Sequence, residues 1–166
     1  MDYQFEKYHF ADTATIPNNR LPVIVYRQVI ASTEMSDWME ETFKANGWTN
    51  NWRDIVLHYD HFHSTTHEVL GVGEGTVTLH IGGEKGISIE VSAGDVLILP
   101  AGVGHCAVSE HKNYEIVGGY PDGRDWDLLT GTADEREKAI PRIEKLPVPQ
   151  SDPVFGKEGE LLKLWK

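Results

Sequence analysis

The sequence HYDHFHSTTHEVLGVGEG, residues 58–75, is the most informative about the fold, because apolar residues and histidines alternate through its first half and the residues just before it. The members of one face of the predicted strand are Ile55, Leu57, Tyr59, His61 and His63. Two residues apart on a strand, His61 and His63 have roots about 6.5 to 7 Å apart, so both rings can reach one ion. The apolar residues predict that this face points inward, where each imidazole nitrogen needs a partner. We predict a metal site here, with satisfied core histidines as the alternative.

Two further metal ligands are predicted on other strands, Glu68 and His105. Adjacent residues of a strand point to opposite faces, so only one of His67 and Glu68 can reach the site. Glu68 lies on the more apolar face of its predicted strand, which favours Glu68 and leaves His67 facing outward. His105 ends the stretch GDVLILPAGVGH, whose proline and glycines predict a bend that returns the chain toward the first two histidines.

Written as spacings, these residues form two motifs, His61-x-His63-x4-Glu68-x6-Gly75 and Gly94-x5-Pro100-x-Gly102-x2-His105. The pair resembles the two signature motifs of the cupin superfamily, and the matched part covers about residues 61–109. The resemblance implies a small β-barrel in which a divalent metal is bound by His61, His63, Glu68 and His105.

Two positions depart from the family's motifs, since Ile55 stands where cupins usually have Gly and Ser109 where they usually have Asn. Neither position binds metal in the family. The segments TIPNNRLPVIVY and GYPDGRDWDLLTG resemble a group of small bacterial single-domain cupins. The resemblance implies a site but no particular reaction.

The rest of the chain alternates between short strand-like runs and turn residues. Besides the strand from residue 55, strands are predicted at residues 20–30, 69–72, 76–81, 87–91, 96–99 and 114–117. The separating sequences GVGEG, GGEKG and SAGD suit tight hairpins in an antiparallel sheet. The prediction is an all-β fold, a cupin-type antiparallel β-barrel or jelly roll with one or two peripheral helices.

Two helices are predicted outside the barrel. Apolar spacing places one around residues 35–43, with Ser32 or Thr33 as its N-cap and Gly47 as its stop. A capping box of Thr132 and Glu135 begins the other, which Pro141 should end. The Pro-rich tail KLPVPQSDPVFG should run extended along the surface.

One domain over residues 1–166 is expected. Its barrel core spans about residues 52–120, its N-terminal strand and helix about residues 20–47, and its C-terminal extension about residues 121–166.

Composition narrows the class of partner. Apolar residues make up 40% and charged residues 25%, and the formal charge of −11 disfavours nucleic acid and anionic membranes. Cys106 is the only cysteine, and the sequence has no export signal or membrane-length apolar run, which favours a cytoplasmic location. A homodimer is expected because cupins commonly pair and because LPVIVY would be an exposed edge strand on a lone barrel.

Most of the remaining reactive side chains are interpreted as core or surface residues without a role in metal binding. Tyr59 shares the predicted inward face and is the proton-transfer candidate. Cys106 is interpreted as a small buried hydrophobe that points away from His105. Arginines that could clamp a substrate carboxylate, or equally be surface charges, are Arg20, Arg53 and Arg124. Histidines expected to stay clear of the metal are His9, His58, His67, His80 and His111.

The leading functional prediction is a metalloenzyme that acts on a small oxygen-rich molecule such as a sugar or an organic acid, as an oxygenase, isomerase or decarboxylase. Three imidazoles and one carboxylate suit one divalent ion of Mn, Fe, Co, Ni or Zn. Four protein ligands would leave two positions open on a six-coordinate ion, which is typical of catalytic sites. The alternatives are a non-catalytic sensor or carrier of a small ligand, and a barrel with a purely structural metal.

Overall fold

Nine strands form two antiparallel sheets within residues 3–110 and 113–166, which are the residues that the computed structural model describes. The strands are β1 (Gln4–Phe10), β2 (Asn19–Arg27), β3 (Trp48–Asp54), β4 (Glu68–Glu74), β5 (Thr76–Ile81), β6 (Ile87–Ser92), β7 (Val96–Leu99), β8 (His105–Glu110) and β9 (Glu115–Pro121). The helices are α1 (Met35–Ala45), α2 (Ala133–Lys145) and the four-residue α3 (Leu161–Leu164).

The larger sheet has six strands in the order β1-β2-β7-β4-β9-β3, and the smaller has three in the order β6-β5-β8. Every strand pair is antiparallel. The all-β, cupin-type prediction is confirmed in this arrangement of two sheets with peripheral helices. None of the helices in the described ranges is long and apolar enough to cross a membrane.

The larger sheet is apolar on both faces, and β2 illustrates the reason. Val23 and Val25 point into the core shared with the smaller sheet, whereas Ile24 and Tyr26 point to the opposite face, under α1 and the C-terminal segment. Successive residues of a strand face opposite ways, so a run of buried residues requires cover on both sides. The sheet is therefore the middle layer of the molecule.

The segment LPVIVY is not an edge strand, which corrects the argument for a dimer. It lies in β2, between β1 and β7, and its residues are buried. The expected exposed edge is removed because residues 4–10, for which no strand was predicted, pair with β2. A homodimer stays a prediction that rests on the family resemblance alone.

The strand predicted from residue 55 to residue 63 is replaced by an irregular segment. The ladder between β3 and β9 ends at Asp54, and only isolated bridges follow at His61 and Phe62. Ile55 is 46% exposed and Tyr59 48%, so the expectation of a buried inward face is wrong for them. Leu57, at 38% exposed, is also outside the core, whereas His61, Phe62 and His63 are buried in succession, so burial along this segment does not alternate as it would in a half-buried strand.

Helix α1 packs on the outer face of the larger sheet at two glycines. A Cβ at Gly71 would lie 2.6 Å from the Met39 sulfur, and one at Gly73 would lie 1.9 Å from the Ser36 hydroxyl. The GVG of the predicted GVGEG turn therefore belongs to β4, where it lets the helix approach closely, and Gly75, at φ +73°, makes the turn.

Helix α2 begins as predicted and ends later than predicted. Thr132 and Glu135 form both bonds of the capping box. Pro141 does not stop the helix, which continues to Lys145. Ile143 lies beyond Pro141 and packs into a cluster with Phe62 and Ala139, and burial of this turn offsets the backbone bond that proline removes.

The C-terminal extension is packed rather than extended along the surface, which corrects a second expectation. Asp152 is fully buried and accepts a hydrogen bond from the Tyr26 hydroxyl at 2.6 Å. Trp165 is 2% exposed and its indole N–H donates to the Pro22 carbonyl at 2.8 Å. The apolar outer face of the larger sheet requires such a cover, which sequence periodicity in the tail did not reveal.

Candidate metal centre

Three buried histidines meet at one end of the space between the sheets. One ring nitrogen of each of His61, His63 and His105 lies within 4.8 Å of those of the other two. His61 and His105 exchange backbone hydrogen bonds of 3.3 and 3.0 Å, and the His63 carbonyl accepts from Gly102 at 2.8 Å. These bonds join the two sequence motifs, so the histidines predicted from each motif lie together, and they could hold a metal ion.

Each of the three rings is oriented by a backbone carbonyl. Nδ1 of His61 bonds to the Tyr59 carbonyl at 2.9 Å, Nδ1 of His105 bonds to the Val103 carbonyl at 3.0 Å, and Nδ1 of His63 bonds to the Asp127 carbonyl. A carbonyl only accepts, so Nδ1 carries the hydrogen and Nε2 of a neutral ring carries the free lone pair. Histidines that bind metal through Nε2 are held in this way, so the donor set fits a transition metal.

Glu68 lies beside the histidines, as its position at the start of β4 requires. Its two carboxylate oxygens lie 3.4 Å from Nε2 of His63 and 3.3 Å from Nε2 of His105. The side chain of Glu68 is 4% exposed. Glu68 and the three histidines, the four residues predicted from the motifs, therefore form one buried group of one carboxylate and three imidazoles.

The charges of this group are set by burial and by the neighbouring residues. Burial would raise the pKa of Glu68, but His63 and His105 outweigh it and hold that pKa below its usual range. Burial, and then the neighbouring His105, lower the pKa of His61 to about 3, so this ring is neutral at physiological pH. Burial also opposes the charge on His63, yet Glu68 and Asp127 raise its pKa.

Tyr120 and Trp52 extend the group, and sequence reasoning missed both. The Trp52 indole N–H donates to the Tyr120 hydroxyl at 2.8 Å, and both side chains line the same cavity as Glu68. Burial, then the Glu68 charge, raises the pKa of Tyr120, so the phenol keeps its proton. The β4–β9 register, with Val69 opposite Gly119, sets Tyr120 beside Glu68. A prediction of how β4 pairs with β9 would therefore have placed Tyr120 in the site.

A cavity of about 450 Å³ opens above the group. Its walls include His61, His63, Glu68 and His105, and aromatic side chains from the irregular segment and from the loop after β9. Tyr59 lines this cavity, but at its exposed rim rather than in a buried pocket wall. The site is therefore open to a small molecule.

The other histidines lie elsewhere, with one correction. His67 points away from the site but is not outward-facing, because it is 3% exposed and its Nδ1 accepts from the Ala101 N–H at 2.9 Å. Its ring packs 4.9 Å from that of Trp165, since the C-terminal extension covers this face. His58 bonds to the Ala107 carbonyl and His80 to Ser88 and Gly83. His9 is exposed on β1, and His111 lies outside the described residues.

Cysteine and arginine side chains do not join the group. Cys106 is buried as expected, and burial together with the nearby Asp60 raises the pKa of its thiol to about 11. Arg53 pairs with Asp37 and Glu40 on α1. Arg20 donates to the carbonyl of Lys166 and Arg124 to that of Thr65. None of the three arginines lines the cavity above the histidines.

Comparisons with solved structures return cupin-like and double-stranded β-helix proteins at low similarity. A Klebsiella pneumoniae protein with a double-stranded β-helix domain has a TM-score of 0.40 and 16% identity, over 71% of this chain and 77% of that one. A Bacillus subtilis oxalate decarboxylase variant has a TM-score of 0.41 and 15% identity, over 71% and 30%. An 11S globulin from Wrightia tinctoria has a TM-score of 0.40 and 14% identity, over 48% and 22%. The chain thus spans less than a third of the length of the last two.

A comparison of sequences finds a much nearer relative. The uncharacterized protein YjlB of Bacillus subtilis (strain 168) is 37% identical over 166 residues, which are 99% of this chain and 99% of that protein. No family model matches the chain. The two histidine motifs of this chain and its own facing antiparallel sheets are those of a cupin. The protein belongs to the YjlB family, with a cupin fold.

Proposed function

We propose that the protein binds one divalent transition metal through His61, His63, Glu68 and His105. The observation that carries this proposal is the common orientation of the three rings, each with Nδ1 on a backbone carbonyl. Without a metal, burying three imidazoles around a carboxylate costs solvation that these few contacts offset only in part. Mn, Fe, Co, Ni and Zn all suit this donor set.

We further propose that the metal is catalytic and that the protein is a metalloenzyme acting on a small molecule that presents oxygen to the metal. The open cavity supports this role, because a structural metal site is closed by its protein ligands. A bound metal would supply a Lewis acid or an activator of oxygen. The chain's own residues would fix the ligand rings through carbonyls, place Tyr120 beside Glu68, and present the Tyr59 hydroxyl for proton transfer at the rim.

The test separates Glu68 from its neighbour by measuring bound metal per chain in Glu68→Ala and His67→Ala. Glu68→Ala should weaken metal binding by more than the 10- to 100-fold typical of a lost supporting hydrogen bond, because it removes an anionic ligand. His67→Ala should keep metal at the parent level while lowering the melting temperature, because it removes a buried ring and the acceptor for the Ala101 N–H.

The result that would contradict the assignment is loss of metal from His67→Ala with retention in Glu68→Ala. Turnover by the metal-loaded parent, screened against small molecules and absent from Glu68→Ala, separates an enzyme from a carrier. A protein that binds small molecules without converting any of them would favour the sensor or carrier instead.

A further inference from the structure

Large apolar side chains are exposed mainly around the cavity above the histidines. Seven large apolar residues are exposed in the described ranges, and Phe5 and Val108 are the two that do not line this cavity. The five that do are Ile55, Leu57, Tyr59, Trp126 and Leu128. An apolar surface concentrated at the mouth of a pocket marks a binding site better than one scattered over the molecule.

The charges in the cavity favour a ligand with few negative charges. Its lining contains no lysine or arginine, and its acidic residues are Glu68 and the exposed Asp54 at the rim. A divalent ion with the single carboxylate of Glu68 keeps a net charge of about +1, which one anionic oxygen of a ligand would neutralise. A second anionic group of a ligand would find no cation in this lining.

Two side chains of the wall have their hydrogen-bond donors already paired within the protein. The Asn51 amide N–H groups donate to the Trp48 and Gly118 carbonyls at 3.0 Å. The Trp52 indole donates to Tyr120. The Asn51 Oδ1 is buried without a partner and could accept from one hydroxyl of a ligand. The other hydroxyls of a sugar would face the apolar side chains of the rim, and each unpaired hydroxyl would weaken its binding.

We infer that the site takes a small molecule with an apolar body of about the size of an aromatic ring and one metal-binding oxygen group that carries at most one negative charge. This inference rests on the proposed metal and narrows the ligand class predicted from the sequence, since it disfavours sugars and polycarboxylates. The cavity of about 450 Å³ is of the size that holds such molecules. The apolar rim contacts the body, and the metal contacts the oxygen group.

The test compares two probes that share one metal-binding group, acetohydroxamate and benzohydroxamate, on Co²⁺-loaded protein. The visible bands of Co²⁺ report the arrival of a ligand at the metal. Benzohydroxamate should bind at least about tenfold more tightly, because the rim buries its ring. Glucose and malonate should leave the bands unchanged at the concentrations that saturate benzohydroxamate.

The variants Trp126→Ala and Ile55→Ala should lose part of the preference for benzohydroxamate over acetohydroxamate. Their affinity ratio should approach the ratio that the two hydroxamates show for free Co²⁺ in solution. Both residues are about half exposed, at 49% and 46%, so their truncation should destabilise the fold less than truncation of a core residue. Phe5→Ala is the matched control, since Phe5 is 39% exposed on β1 and does not line the cavity. The control should keep the parent ratio.

Equal affinity for the two hydroxamates, or binding of malonate or glucose as tight as that of benzohydroxamate, would overturn the inference while leaving the metal site intact. Failure of the parent to bind Co²⁺ would instead refute the proposed function. Light scattering of the parent and of Trp126→Ala tests whether the apolar rim instead binds a second copy of the protein. If the variant changes the oligomeric state, the rim is a subunit interface and the inference is wrong.

Discussion

Asp127 acts on the histidine group through its main chain and its side chain together. Its carbonyl holds Nδ1 of His63, while its carboxylate accepts from the Ser64 N–H at 2.6 Å, from the Ser64 hydroxyl, and from the Thr65 hydroxyl at 3.2 Å. The carboxylate thus fixes the turn that follows His63 to the residue that orients the His63 ring. A change at this side chain should reach the metal without removing a ligand.

We therefore expect Asp127→Ala to weaken metal binding by about 10- to 100-fold, as loss of a residue that supports a ligand typically does. Competition with a chromophoric chelator measures the affinity. Asp125→Ala is the control, because the Asp125 contact with Thr65 runs through its backbone carbonyl and survives the substitution. Equal affinity in the two variants would show that the Asp127 carboxylate does not position His63.

Some residues of the site could be predicted from the sequence, and others could not. His61, His63, Glu68 and His105 could be predicted as a group, because their spacings match two motifs. Tyr120 and Asp127 could not, since their contacts depend on the β4–β9 register and on the path of a loop. The predicted role of Tyr59 as an inward side chain failed because it required a regular strand from residue 55.

At the scale of elements, the capping box of α2 offers a test whose outcome depends on pH. Hydrogen bonds from Thr132 and the neighbouring residues lower the pKa of Glu135 from 4.5. A lowered pKa in the folded state means that Glu135 contributes stability above its unfolded pKa, and that this contribution is lost as the pH falls through the folded pKa.

We expect Glu135→Gln to reduce the free energy of unfolding at pH 7 by about 0.3 to 1 kcal/mol, because it removes a negative charge from the helix N-terminus. The difference from the parent should shrink as the pH falls below about 4. Urea denaturation at several pH values measures both effects. Glu137→Gln, an exposed residue of the same helix, should show a smaller difference at pH 7, and an equal loss in both variants would contradict the capping argument.

The elements that sequence reasoning placed best are those in which local and tertiary preferences agree. The strands predicted at residues 76–81 and 96–99 have the bounds of β5 and β7. The prediction that Pro141 ends α2 was wrong because the packing of Ile143 outweighs the local penalty. Strands β1, β3 and β8 were not predicted, since polar residues interrupt each of them and leave no clear apolar period.

At the scale of the whole molecule, the fold and the metal contribute separately to stability. The two largest clusters of buried apolar residues contain none of the four proposed ligands. The cluster on the outer face of the larger sheet includes residues of the C-terminal extension. Asp152 of that extension accepts a hydrogen bond from the Tyr26 hydroxyl. The sequence did not predict this packing, because a Pro-rich tail gives no period from which to infer a buried face.

Chelation should therefore lower the melting temperature without unfolding the protein. A metal present at a hundred times its dissociation constant stabilises the folded state by about 2.7 kcal/mol. Differential scanning calorimetry of the loaded protein, before and after removal of the metal, measures the shift. Glu68→Ala should show little response to the chelator, and an unchanged melting curve in the loaded parent would contradict the prediction.

The carbonyls that orient the three histidines have a consequence for protein engineering. Replacing Tyr59 or Val103 changes a side chain and leaves the carbonyl that holds His61 or His105 in place. A library of variants at position 59 can therefore alter the cavity mouth while the ligand rings keep their tautomers. The side chains that contact the bound molecule are therefore separate from the backbone groups that orient the metal ligands. Substitutions at the cavity mouth can change ligand selectivity without changing the metal site.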